Sequence, residues 1–253
     1  MKYLKQLQSK KLFTLQDVAA MTGNILTAKS LLQSYKKAGY IVSVRKNLYG
    51  ALNLASGNIM ASRYEIASQV SDSSYISHHS ALEFHGTANQ VFYEMTISAD
   101  EKIRPFSFDG VSYLSHPSKG NEGVISATYN PLIKVTDIER TLADCIHDID
   151  LAGGLEELLQ CIRLIPQLNE DRIIRYLEMY DECYLWQKCG FILEQFRDQF
   201  GLSVDFYDEC RRNIGKRKNY LRANVGLQYD SRWQLYAPAD LMTITEEGGY
   251  EFV

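Results

Sequence analysis

Apolar positions in the first 56 residues follow a helical period three times and then a strand period. Around Tyr3 to Ser9 the pattern is helical, basic and weakly amphipathic. A second helix opens at Thr14, an N-cap with Asp17 in the favoured first turn, and carries Leu15, Val18, Ala19 and Met21 until Gly23 ends it. A third begins after Asn24 or Thr27 and runs to Lys37, with Gly39 as its stop. Its inward face is predicted at Ala28, Leu31, Leu32, Tyr35 and Ala38, spaced three and four apart. The period then drops to two. Ile41 to Val44 and Leu48 to Leu52 read as half-buried strands joined at Arg45-Lys46-Asn47, where Asn can take the positive φ of a tight turn. This order of elements predicts a winged helix-turn-helix over residues 1–56.

Beyond a boundary at Ser56-Gly57-Asn58 the periods mix, predicting an α/β domain over residues 57–154. Helical patterns cover Tyr64 to Val70 and a stretch from Tyr75 that stops at Gly86. Strand-like runs follow at Val91 to Ser98, at Phe106 to Leu114 around an Asp109-Gly110 turn, and near Val124 to Tyr129. Thr136-Asp137-Ile138-Glu139 reads as a capping box opening a helix from Ile138 to His147. Residues 155–253 are predicted to be mostly helical. Apolar stripes there are Leu155, Leu158, Leu159, Ile162 and Ile165; then Ile173, Ile174, Leu177 and Tyr180; then Tyr184, Leu185, Cys189, Ile192, Leu193 and Phe196. From Leu235 to Val253 the chain reads as a short strand or an unpacked end. The fold class is α+β.

Charge singles out one end. The first 56 residues hold nine Lys or Arg against one Asp, a net +8, while the other 197 hold 18 against 30, a net −12. Such an end is built to touch a polyanion. On the third helix Thr27, Ser30, Ser34 and Lys37 form a second stripe, flanked by Lys29, Gln33 and Lys36, and Thr27, Lys29, Ser30 and Gln33 are placed to reach base edges. Lys36, Lys37, Arg45 and Lys46 are placed to hold phosphates, with Asn47 shaping the wing tip. A solvated helix face would carry much the same stripe; the basic hairpin favours DNA. A second cluster, Arg211, Arg212, Lys216, Arg217, Lys218 and Arg222, reads as a solvated loop or a protein or phosphodiester contact.

Other chemistry finds little footing. No secretory signal or membrane-spanning run is visible, and five cysteines without a C-x-x-C spacing read as buried free thiols, so a cytoplasmic protein is expected. His78, His79, Glu83 and His85 match no zinc spacing. Asp137, Glu139 and Asp144 could form a magnesium-dependent nuclease set, but the capping box accounts for Glu139 and an i,i+4 pair with Arg140 for Asp144. No phosphate-binding glycine loop or nucleophile elbow is present. Neither catalysis nor a metal or cofactor is predicted. A nuclease and a ligand-sensing regulator, with an aromatic-rich second half holding a small molecule, stand as alternatives.

Two segments carry a family resemblance. Ile76-Ser77-His78-His79-Ser80-Ala81-Leu82-Glu83-Phe84-His85-Gly86, and Val135-Thr136-Asp137-Ile138-Glu139-Arg140-Thr141-Leu142-Ala143-Asp144-Cys145 followed by Leu151-Ala152-Gly153-Gly154-Leu155-Glu156-Glu157, resemble the AbiEi antitoxins of AbiE (type IV) toxin–antitoxin systems. Members of that family also begin with a winged helix-turn-helix, and the resemblance covers roughly residues 10 to 165. It implies an N-terminal domain that binds double-stranded DNA at inverted repeats in its own promoter and represses transcription. It also implies a C-terminal part that counters a nucleotidyltransferase-like toxin without requiring tight direct contact. Stand-alone regulators share this layout. A monomer or weak dimer pairing on DNA is expected, with no membrane partner.

Overall fold

The computed structural model describes residues 2–221, 227–238, 240 and 241, and these form a mixed α+β protein. Two compact units are each assembled from separated stretches: Met1–Ile76, Tyr93–Pro117 and Ser126–Lys134 make one, and Ser77–Phe92, Ser118–Ile125 and Val135–Val253 the other. Neither unit ends at 56 or 154. Strands distant in sequence meet to complete a sheet, which interleaves the units along the chain.

The first unit begins α1 (Leu4–Lys10), β1 (Leu12–Phe13), α2 (Leu15–Thr22), α3 (Ile25–Lys37), β2 (Ile41–Arg45) and β3 (Leu48–Ala51), with a sheet of order β1-β3-β2. Local signals set these bounds. The Thr14 side chain accepts from the Asp17 N–H while the Asp17 carboxylate accepts from the Thr14 N–H, so the helix start is doubly satisfied. Gly23, at φ 74°, closes α2, and the Asn24 side chain then accepts from the Leu26 and Thr27 N–H groups at 2.8 and 3.2 Å to open α3. Leu4, Leu7, Phe13, Val18, Ala28, Leu32, Ile41 and Ala51 share one core. Ala38, expected inward, is exposed, because α3 ends at Lys37 and the chain turns away through Gly39.

After α4 (Arg63–Ser68) comes a six-stranded sheet of order β6-β7-β5-β4-β9-β8, with β4 at Tyr75–Ile76, β5 at Glu94–Ala99, β6 at Phe106–Phe108, β7 at Val111–Pro117, β8 at Val124–Ala127 and β9 at Asn130–Thr136. Asp109 and Gly110, at φ 51° and 77°, form the tight turn of the β6–β7 hairpin. Glu65, at the third position of α4, caps that helix through the Ser62 N–H and accepts from Lys11 and Asn130, both at 2.8 Å.

The second unit is built on helices: α5 (His78–His85), α6 (Ile138–His147), α7 (Leu155–Leu164), α8 (Glu170–Tyr180), α9 (Cys183–Glu194), α10 (Arg197–Phe200) and α11 (Val204–Asn213). The apolar stripes read from the sequence on α7, α8 and α9 line its core. The C-terminal region is less helical than expected, since β10 (Asn219–Tyr220), β11 (Leu227–Asp230) and β12 (Leu235–Pro238) form a sheet of order β10-β12-β11. Trp233 clamps that sheet to α9. Its ring lies where a Cβ on Gly190 would stand 2.1 Å away, and its indole N–H donates to Glu194 at 2.8 Å. Only glycine allows this approach. The rest of the tail read as strand or unpacked end, apart from Leu235–Pro238, Asp240 and Leu241, lies outside the described residues, as does Arg222.

Candidate nucleic-acid interface

The core of the first unit holds α3 by Ala28, Leu32 and Tyr35, so its opposite face is left in solvent. Thr27, Lys29, Ser30, Gln33, Ser34, Lys36 and Lys37 are all exposed on this helix, which carries no acidic residue. At the N-terminal end of α3, Ile25 and Leu26 are 43 and 69% exposed. Their exposure is not legible in the sequence, where an apolar side chain on a helix points to the core. Exposed methyl groups beside donors and acceptors suit a thymine methyl in the major groove.

The hairpin corrects two details. Asn47 has φ 63°, as its residue type allows, but its side chain also braces α2: Oδ1 accepts from the Leu15 N–H at 3.2 Å and Nδ2 donates to Gln16 at 3.0 Å. Arg45 is not at an open tip. It belongs to strand β2, and its guanidinium lies 5.1 Å over the Phe106 ring, which stacks on Tyr113. Burial lowers its pKa, and one of its terminal nitrogens is enclosed without a hydrogen-bond partner. The tip itself is Lys46 and Asn47, both exposed. Lys10 and Lys11 are paired with Asp17 and Glu65, which leaves the positive field to Lys29, Lys36, Lys37 and Lys46 around α3 and the hairpin.

Two buried polar networks occupy the second unit. Glu157 on α7 accepts from His79 Nε2 (3.0 Å), from the Asn89 and Gln90 N–H groups (3.1 and 2.9 Å), from the Asn89 side chain (3.1 Å) and from the Cys161 thiol (3.2 Å). His79 also faces Glu83 at 3.3 Å and stacks on Phe92. Burial opposes charge on this imidazole, but the two carboxylates outweigh it and raise its pKa. His79, Glu157 and Cys161 converge closely enough to hold a metal ion. Internal hydrogen bonds account for this convergence, since Glu157 already accepts from five donors.

In the second network Arg140 is 1% exposed and donates to Asp144 at 2.6 Å and to the Glu122 carbonyl at 2.6 Å. Tyr180 donates to Asp144 at 2.6 Å, and Tyr176 to Asp137 at 2.5 Å. The expected capping box is absent. Thr136 is the last residue of β9, so Asp137 caps α6 through the Arg140 N–H, and Glu139 instead accepts from the Asn169 N–H at 2.9 Å. The i,i+4 pair of Arg140 and Asp144 is present as read. Four cysteines are buried and free; the fifth, Cys183, is free but exposed.

A recess of about 470 Å³ in the first unit is lined by Lys11, Met60, Tyr64, Glu65 and Tyr129, among others. Its carboxylate, Glu65, is already taken by Lys11, Asn130 and the Ser62 N–H. Among the described residues no helix is long and apolar enough to cross a membrane.

No protein-family model and no curated protein sequence matches this chain. Its fold is similar to that of the crystal structure of the Rv2827c protein from Mycobacterium tuberculosis, with 14% sequence identity and a TM-score of 0.65. The likeness covers 97% of this chain and 93% of that one, and it is a likeness of fold.

Proposed function

We propose that this protein is a sequence-specific DNA-binding autorepressor, with residues 1–56 as a winged helix-turn-helix. The observation that carries this is the acid-free, exposed polar face of α3 beside a hairpin tipped by Lys46. On this reading Thr27, Lys29, Ser30 and Gln33 meet base edges, Ser34 supports them, and Lys36, Lys37 and Lys46 hold phosphates. Arg45 and Asn47 set the hairpin's shape. The resemblance to AbiEi antitoxins adds the second half of the proposal, that the protein counters a nucleotidyltransferase-like toxin in the cytoplasm. The residues that carry this resemblance include His79, Glu83, Arg140, Asp144 and Glu157, and all are spent on internal bonds. Those bonds give them a structural role, so we read the protein as no enzyme.

The test compares variants on the duplex upstream of the gene. Lys46→Ala is expected to weaken all duplexes alike and to flatten the salt dependence by about 0.9. Gln33→Ala is expected to relax preference at one base pair, worth about 1–3 kcal/mol. Unchanged affinity and selectivity in both would remove the interface from this face. Antitoxin action is tested by co-expression with an adjacent nucleotidyltransferase-like toxin, where growth must be rescued.

A further inference from the structure

Three tyrosines from three strands stand in one row on the C-terminal sheet. Tyr220 of β10 is in register with Tyr236 of β12, which is in register with Tyr229 of β11. The Tyr220 and Tyr236 rings stack at 4.6 Å and 11°, and Tyr229 tilts against Tyr236 at 5.0 Å. Side chains alternate along a strand, so Leu235 and Ala237, both buried, take the packed face while the tyrosines take the open one. Tyr220 is 60% exposed and Tyr229 38%.

The segment leading into this row is cationic. Lys216, Arg217 and Lys218 are exposed, and the Lys218 ammonium sits 4.5 Å over the Tyr229 ring. Arg211, Arg212 and Arg232 nearby are paired with acids, but Lys216, Arg217 and Lys218 make no ion pair among the described residues. They stand in a part of the chain that is otherwise strongly acidic.

We propose that this face binds single-stranded nucleic acid. An unpaired base stacks on the outer face of Tyr220, extending the existing tyrosine stack, while Lys216, Arg217 and Lys218 track the phosphates. A duplex keeps its base faces inside its own stack, so only an unpaired strand uses the rings and the cations together. The site is separate from the duplex interface on α3 and stands or falls independently of it.

The test uses the full chain and fluorescein-labelled single strands of about 12 nucleotides, as RNA and as DNA, with a duplex of the same sequence. Both single strands, or one of them, are expected to bind more tightly than the duplex; a preference between the RNA and DNA arms identifies the source. Tyr220→Ala is expected to weaken the single strand by about tenfold while leaving affinity for the upstream duplex unchanged. Tyr220→Phe, which keeps the ring, retains binding and controls for folding. Removing Lys216 and Lys218 together lowers the salt dependence by about 1.4. Tyr220→Ala binding as tightly as the parent, a duplex binding as well as the single strand, or displacement by polyglutamate alone as readily as by the single strand would overturn the proposal.

Discussion

Arg140 is among the largest fully buried side chains, and a buried cation survives only where its partners are in place. Asp144 and the Glu122 carbonyl supply them. Arg140→Met leaves Asp144 buried without its cation and is expected to cost about 3–5 kcal/mol in urea unfolding. Replacing Asp144 by Leu in the same chain should recover much of that loss, since paired removal leaves no orphan charge. His79 supplies a pH signature. Its pKa is raised above the ordinary 6.5 by Glu83 and Glu157, against the opposing effect of burial. The proton therefore stabilises the fold fully below about pH 6.5, and that contribution is lost as pH rises through the folded-state pKa. The difference in unfolding free energy between the parent and His79→Gln should shrink from pH 5.5 to 7.5. A difference that is flat over this window would show that folding leaves the His79 pKa unshifted, and one that grows would show that the imidazole is held neutral in the fold.

Helix starts and tight turns were legible because each rests on one or two neighbouring residues. Thr14 with Asp17, Gly23, Asn47 and the Asp109-Gly110 turn sit where their side chains and permitted φ values place them. The start of α6 was misread for a nonlocal reason. Thr136 pairs into β9, which moved the cap to Asp137 and released Glu139 to the start of α8. Glu157 could not be read as a hub either, since its partners His79, Asn89 and Gln90 lie 67 to 78 residues away. The candidate face of α3 was visible in the sequence, whereas the withdrawal of Arg45 onto Phe106 and the exposure of Leu26 depend on packing. The same holds for Gly190, whose role appears only with Trp233 against it. Gly190→Ala brings a methyl within 2.1 Å of that ring. It is expected to destabilise the protein by about 1–3 kcal/mol and to quench or shift the Trp233 fluorescence that follows from burial. A melting temperature and emission spectrum equal to the parent's would mean that the indole has room the structure does not show.

The charge division along the chain gives the protein one basic end, the proposed duplex interface, and an acidic remainder with a second, smaller basic cluster. If the proposed winged helix reads a short half-site, an inverted repeat is expected to hold two copies, observable as a two-to-one complex by mass. The central claim is that α3 and its hairpin recognise a particular sequence. It is tested most directly by fluorescence-anisotropy titration of the duplex upstream of the gene against a scrambled duplex at physiological salt. The account predicts tight binding to the first and binding weaker by about 10³-fold or more to the second. Equal, weak binding to both that vanishes as salt rises would contradict it, leaving the basic end a docking surface without sequence preference.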